Sequence, residues 1–266
     1  MTTIDRVASL LETLAPGWLA EDWDNVGLLV GRADRAARRI MTCLTITPAT
    51  VREAAARRAD LIVSHHPLPF RALKRITADS TSGRLLLDLI EAGVAVISPH
   101  TAFDSAARGI NDHWARGLGL EARRPLVPRA EPAGGGPLGT GRWGRLSRPT
   151  ALVDLARQVR RFLRIDRLRI VGRDDQVVQQ VAVACGSGGD LLAPARQAGC
   201  DCLVTGETGF HTCLEAEALG IALVLPGHFA SERFAVEWLA DYLRARLDGE
   251  EIWASENERD PLRWVV

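Results

Sequence analysis

Asp60-Leu-Ile-Val-Ser64, stopped by His65-His66-Pro67, is the stretch on which the fold turns. A short apolar run of strand length, closed by a proline that disfavours helical geometry at the residue before it, reads as a buried strand. Working outward, Ile40 to Ile46 reads as another buried strand and Thr50 to Arg58 as an alanine- and arginine-rich helix. Leu85 to Ala92 is helical again, and Gly93-Val-Ala-Val-Ile-Ser98 is a strand closed by Pro99. Nearer the start, Ile4, Val7, Leu10, Leu11 and Leu14 form the apolar stripe of a first helix ending near Pro16-Gly17. The order strand, helix, strand, helix, strand points to an α/β layer architecture, in which ligand groups gather at strand ends.

The deciding stretch has a counterpart. Thr42 to His66 and Val183 to Glu207 are both 25 residues long and align without a gap at an offset of 141. Ala-Asp-Leu-Ile-Val-Ser ending at Ser64 stands against Cys-Asp-Cys-Leu-Val-Thr ending at Thr205, pairing Asp60 with Asp201 and Val63 with Val204. Downstream, Gly93-Val-Ala-Val-Ile-Ser-Pro99 repeats as Gly220-Ile-Ala-Leu-Val-Leu-Pro226. Few positions are identical, so two unrelated βαβ units are the competing reading. A true duplication requires matching strand ends in the two halves to face one site.

Between about residues 121 and 148 the texture changes. Pro125, Pro128, Pro132, Pro137 and the run Gly134-Gly135-Gly136 break regular structure. The glycines lack the Gly-Lys-Ser/Thr ending of a phosphate-cradling P-loop, which favours a turn or hinge. The expected organisation is an N-terminal α/β lobe over 1–124, a Gly/Pro-rich bridge over 125–148 and a C-terminal α/β lobe over 149–266. Beyond the bridge, Thr150 to Phe162 is helical by period, and Arg167 to Val171 and Val177 to Ala184 read as strands. Phe234, Trp238 and Tyr242, spaced at four on a helix from about Ser231 to Arg246, are expected to pack in the core rather than at a subunit contact.

Composition narrows the function classes. With 266 residues, 47% hydrophobic and 25% charged, the chain has the make-up of a globular protein with a sizeable core. Cations and anions balance at 33 each and no arginine cluster stands out along the chain, which argues against nucleic acid as a primary partner. No apolar run is long enough for a membrane span, and acidic residues interrupt the first thirty positions, so neither membrane nor secretion is expected. The five cysteines, Cys43, Cys185, Cys200, Cys202 and Cys213, are odd in number and too sparse for a disulfide framework, which makes a reducing cytoplasm the expected location.

The histidines fall at strand ends. His65 and His66 follow one strand, His100-Thr-Ala-Phe-Asp104 follows the next, and His228-Phe-Ala-Ser-Glu232 follows its counterpart in the other half. Residues four apart share a helix face, so a helix opening at His228 lets His228 and Glu232 bind one ion or two adjacent ions. Neutral imidazole with carboxylate suits zinc, manganese or ferrous iron, whereas calcium prefers oxygen ligands alone. A His-His pair before proline also occurs as a polar strand end, and a His-Glu pair as a solvated helix contact. Three such groups at the ends of separate strands weigh toward ligation. His113 reads as a helix-surface residue, and His211 is balanced between a supporting and a structural role.

Six ordered motifs carry a resemblance. Asp24-Asn-Val-Gly-Leu-Leu-Val-Gly31, Asp60-Leu-Ile-Val-Ser-His-His-Pro67, His100-Thr-Ala-Phe-Asp104 with Gly109-Ile-Asn-Asp112, Cys185-Gly-Ser-Gly188, Asp201-Cys-Leu-Val-Thr-Gly-Glu207 and Gly227-His-Phe-Ala-Ser-Glu232 together resemble the Nif-three-like dinuclear metal-centre family, whose members are often named GTP cyclohydrolase I type 2 homologues. The resemblance runs nearly end to end. It implies two similar α/β lobes with mixed sheets flanked by helices, a metal site between the lobes, and hexameric rings built from dimers. It further implies two divalent ions per chain (Zn, Fe or Mn) held by His65, His66, Asp104, His228 and Glu232, with His100 nearby to orient Asp104 or a water. The sequence departs from the common family pattern at Thr208-Gly-Phe-His211, where many members have adjacent histidines, and it lacks the domain that longer members insert between the halves.

Two ions at close range lower the pKa of a shared water, polarise an electrophile and clamp attacking and leaving oxygens. The first expectation is therefore a metal-dependent hydrolase acting on a small molecule, such as ring opening of GTP or a related nucleotide, or cleavage of a phosphoester. No P-loop or basic cluster offers itself for a triphosphate; Arg71, Lys74 and Arg75 are the nearest cations to the His-His motif. The alternative is a non-catalytic hexameric assembly with structural or stored metal that acts through protein or nucleic-acid partners. Open coordination positions favour the first.

Overall fold

A computed structural model of the chain describes residues 1–129, 138–263 and 265. Along the chain the elements are α1 (Ile4–Leu14), β1 (Gly27–Val30), β2 (Arg39–Cys43), α2 (Pro48–Ala56), β3 (Leu61–Ser64), α3 (Thr81–Glu91), β4 (Ala95–Ser98) and α4 (His100–Ser105). There follow α5 (Ile110–Gly117), β5 (Glu121–Arg124), β6 (Val127–Pro128), β7 (Gly139–Thr140), β8 (Arg142–Ala151), α6 (Leu152–Leu163), β9 (Arg169–Val171) and β10 (Val177–Ala184). The remainder is α7 (Leu192–Gln197), β11 (Cys202–Thr205), α8 (Phe210–Leu219), β12 (Ala222–Leu225), α9 (His228–Arg244) and β13 (Glu251–Ala254).

The chain divides into two compact units, one formed by Met1–Phe103 with Ala235–Val266 and the other by Asp104–Phe234. This differs from the division expected at 125–148. The last 32 residues return to the first unit, where β13 pairs in parallel with β2, Ile252 opposite Ile40 and Trp253 opposite Met41. The expected bridge also holds more regular structure than its composition promised, since β8 is a ten-residue strand running antiparallel to β10. Its buried inward positions are occupied by Arg142, Gly144 and Leu146, so the usual apolar alternation is hidden. The Gly134 to Gly136 run, with Pro132 and Pro137, lies outside the described residues.

The sheet of the first unit has the order β1-β4-β3-β2-β13, with β1 antiparallel to β4 and the other neighbours parallel. The sheet of the second has the order β5-β8-β10-β11-β12-β9, in which β10, β11 and β12 are parallel and β9 is antiparallel to β12. Strands β1 to β4 thus match β9 to β12 in chain order, spatial order and direction. Hydrogen bonds repeat with them. The Asp60 carboxylate accepts from the backbone N–H groups of Arg38 and Arg39 at 2.8 and 2.9 Å, and Asp201 accepts from those of Gln179 and Gln180 at 2.8 and 2.7 Å. Each aspartate holds the entry of the preceding strand, so the faint sequence repeat marks a real structural one.

The central strands carry Val, Ile, Leu and Ala because both their faces are covered; every residue of β3, β4, β11 and β12 is buried. Met41, Ile62 and Val96 pack with Leu85 and Leu89 of α3 in the first unit. Ala182, Leu203 and Leu223 pack with Leu192 and Ala216 in the second. Helix α2 starts at a capping box between Thr47 and Thr50 with Pro48 at its first position. Of the aromatic series on α9, Tyr242 is buried and Phe234 and Trp238 are half-buried: Phe234 meets Phe162 at 5.2 Å, and Trp238 stacks on Phe103 at 5.9 Å and on Tyr242 at 5.4 Å. No helix among the described residues is long and apolar enough to cross a membrane.

Candidate metal centre

In the first unit the sheet's hydrogen bonding continues past β3, with the His65 N–H donating to Cys43 O at 2.9 Å and the His66 N–H to Leu44 O at 2.8 Å. Side chains fix the same turn: Ser98 Oγ donates to His65 O at 2.6 Å and Ser64 Oγ to His66 O at 2.8 Å. Both imidazoles thereby leave the end of β3 in set directions. His100, first residue of α4, joins them at the end of β4. One ring nitrogen from each of His65, His66 and His100 lies within 4.8 Å of the others. Thr45 Oγ1 bonds His66 Nδ1 at 2.7 Å.

His100 is held by Asp24, whose Oδ1 lies 2.7 Å from its Nδ1. Burial of Asp24 works against its charge. The bonds from His100, from the Thr101 hydroxyl and from the Asn25 N–H outweigh that, and its pKa falls to about 2. An ionised Asp24 can only accept, so the proton of this bond sits on His100 Nδ1, the arrangement by which carboxylates orient metal-binding imidazoles. Two exposed rings stand over this group: Trp23 and Phe70 are each 6.0 Å from the His100 ring and 5.8 Å from one another.

In the second unit the matching strand ends carry Cys185 to Gly188, Glu207 and His228. His228 Nε2 lies 3.1 Å from Glu232 Oε2, one helical turn on, and its Nδ1 lies 3.0 Å from Glu207 Oε1. The bond to Glu232, opposed by burial and aided by Glu207, lifts the His228 pKa to about 9. Asp104 accepts from Cys185 Sγ at 3.1 Å, and Asn111 ties both segments, donating to Asp104 O at 3.1 Å and accepting from the Cys185 N–H at 2.8 Å. Burial, with Asp104 and Glu232 nearby, pushes the Cys185 thiol well above its ordinary range, so it acts as a donor and not as a thiolate.

The glycine of Cys185-Gly-Ser-Gly has a local reason. Gly186 sits at φ +63°, and a Cβ there would stand 2.3 Å from Glu232 Oε1. Gly186→Ala is expected to cost about 1–3 kcal/mol from backbone strain alone, and to displace the Glu232 carboxylate. Thermal unfolding with metal analysis of the variant checks this; wild-type values for both would refute the packing argument.

Of the residues expected from sequence, His65, His66 and His100 come together in one unit, and His228 with Glu232 in the other. Asp104 meets Cys185. His211 is exposed on α8 against Phe210 and belongs to neither group. His113 is partly buried rather than on the surface, and burial lowers its pKa. Sequence reasoning gave no role to Asp24, Asn111 or Ser231, which accepts from the Gly186 N–H at 2.8 Å. Glu207, just before the segment that departs from the family pattern, holds His228.

The fold and these groups define a class: duplicated α/β proteins whose strand ends present imidazoles and carboxylates able to take divalent metal. The sequence profile of the Duf34/NIF3 (NGG1p interacting factor 3) family matches residues 2–261, and the chain belongs to that family. It is 32% identical over 98% of both chains to a Clostridium acetobutylicum protein named GTP cyclohydrolase 1 type 2 homolog. A Streptomyces coelicolor protein of the same name is 35% identical over 87% of this chain and 82% of that one. Among solved structures, a Bacillus cereus protein related to NIF3 superposes with a TM-score of 0.90 over 99% of both chains at 24% identity, which speaks for the fold.

Proposed function

We propose that the protein binds two divalent ions per chain and uses them to hydrolyse a small molecule, with ring opening of GTP or of a related nucleotide, or cleavage of a phosphoester, as the reaction class. The observation that carries this reading is the convergence of the His65, His66 and His100 nitrogens to within 4.8 Å. The donor chemistry fits zinc, iron or manganese. The proposed ligands are His65, His66, Asp104, His228 and Glu232, with His100 as an Asp24-oriented nitrogen beside them.

When bound, such ions supply Lewis acidity toward a ring carbon, carbonyl or phosphoryl group. The protein's own groups do the rest. Asp24 keeps the His100 proton on Nδ1, Glu207 steadies His228, and Trp23 and Phe70 offer faces on which a planar ring rests. The names carried by the relatives support a nucleotide substrate. Assembly as a homohexamer in the cytoplasm is part of the same proposal, and native mass spectrometry tests the assembly.

Elemental analysis of purified protein is expected to find about two ions per chain, falling below one in Asp104→Ala and Glu232→Ala. Metal-loaded protein incubated with GTP and generic phosphoesters is expected to release formate or phosphate. Less than one ion in the wild type, or full metal in both variants, overturns the metal assignment. Full metal with no turnover across the panel overturns the hydrolase and favours a non-catalytic assembly.

A further inference from the structure

Four of the arginines that look scattered along the chain gather in the second unit. Arg116 from the end of α5, Arg123 and Arg124 from β5, and Arg142 from the start of β8 line one cavity of about 360 Å³, together with Asp112 as its one carboxylate. Four cations against one anion leave a positive excess of three charges. Asp112 is already engaged, 2.6 Å from Arg116 Nε and 3.8 Å from Arg123 Nε.

The floor of the cavity is built. Arg142 is buried, and its guanidinium donates to Gly139 O and Gly141 O at 2.7 Å each, to Ala106 O at 2.6 Å and to Ser105 O at 3.2 Å. Carbonyl groups orient a guanidinium without cancelling its charge, and burial works against that charge by lowering the Arg142 pKa. The wall is irregular. Glu121 faces Arg145 and Arg124 faces Trp143, so β5 holds one residue more than β8 across that interval, and Ala122 takes φ +50° within it. This bulge sets Arg123 and Arg124 side by side at the cavity, a use to which such bulges are commonly put. Among the described residues the Arg124 side chain has no hydrogen-bond or ion-pair partner, its backbone pairing in the β5–β8 ladder.

We infer that this cavity is a second binding site, separate from the candidate metal ligands, for a phosphate-type anion: inorganic phosphate, pyrophosphate or the phosphate group of a small metabolite. Guanidinium forks match phosphate oxygens two at a time, and an excess of three positive charges suits a multiply charged anion better than a monocarboxylate. The volume is within the range of small-molecule sites, roughly 300–1,000 Å³. The terminal N–H groups of Arg142 are spent on carbonyls, so it contributes charge while the exposed Arg116, Arg123 and Arg124 offer the forks; its bonds to Ser105 O and Ala106 O, directly after Asp104, tie the cavity floor to the backbone that presents that carboxylate.

The test is calorimetric titration of the 266-residue chain with pyrophosphate at low salt. Expected is saturable binding at one site per chain, weakening as KCl rises. Arg124→Gln should reduce affinity about tenfold or more, equivalent to 1.4 kcal/mol. Ala107→Glu, which puts a carboxylate into the lining at an exposed position without removing an arginine, should abolish binding. His66→Ala should leave it intact, separating this site from phosphate captured by metal. Absence of saturable binding below about 10 mM, binding that survives both cavity variants, loss in His66→Ala, or equal affinity for citrate would each overturn the inference.

Discussion

Glu53→Ala is expected to destabilise the protein by about 3 kcal/mol, the size of a hydrogen-bonded charge lost from a buried position. Glu53 is 6% exposed on α2, and four donors converge on its carboxylate. They are the Ser255 hydroxyl at 2.7 Å, the Trp253 indole N–H at 3.1 Å and the backbone N–H groups of Glu256 and Asn257 at 3.1 Å each. One side chain thus anchors the whole exit of β13. Burial raises the Glu53 pKa, but the four donors outweigh it and hold the group below its ordinary 4.5. With the folded pKa depressed, this stabilisation is fully present above the unfolded value and is lost as pH falls through the folded one. Urea unfolding of wild type and Glu53→Ala should show a constant gap at neutral pH that narrows on acidification below 4.5. A gap under about 0.5 kcal/mol at pH 7 would mean the four bonds contribute little net stability.

Asp24→Asn should weaken metal binding about 10- to 100-fold, the usual penalty for losing a carboxylate behind a metal-facing imidazole. The asparagine oxygen still accepts from the loop and the fold survives, but the imidazole loses the charge that orients it. Competition with a chromophoric chelator for zinc or manganese reads the change, with His100→Ala beside it. An Asp24→Asn protein that binds metal like the wild type, while His65→Ala does not, would remove His100 from the site.

How much of this was legible in advance depends on distance along the chain. Asp60-Leu-Ile-Val-Ser64 and its counterpart at Asp201 announced two βαβ units because their strands are local, apolar and uninterrupted. His65, His66 and the His228-Glu232 pair were legible because a strand end or a helix turn places them. Asp24 was not, since it meets His100 across 76 residues through a loop with no periodicity. Nor was β8, whose buried positions hold Arg142 and Gly144. The arginine cavity was invisible for a related reason: its members come from three elements, and a neutral total charge says nothing about where cations gather. The start of α3 was also misjudged by four residues, because Ser80 caps it ahead of the apolar stripe.

The pairing of β13 with β2 also bears on how the protein is made. Residues 39 and 251 are opposite one another in the finished sheet, yet about 200 residues of synthesis separate them. The second unit is continuous and can close while the chain is still emerging. The first cannot. Until its last strand arrives, Ile40 and Met41 lie on a bare parallel edge, open to pairing with any passing strand. The interval between making β2 and covering it is therefore one in which this edge is exposed, and the rate of synthesis sets its length.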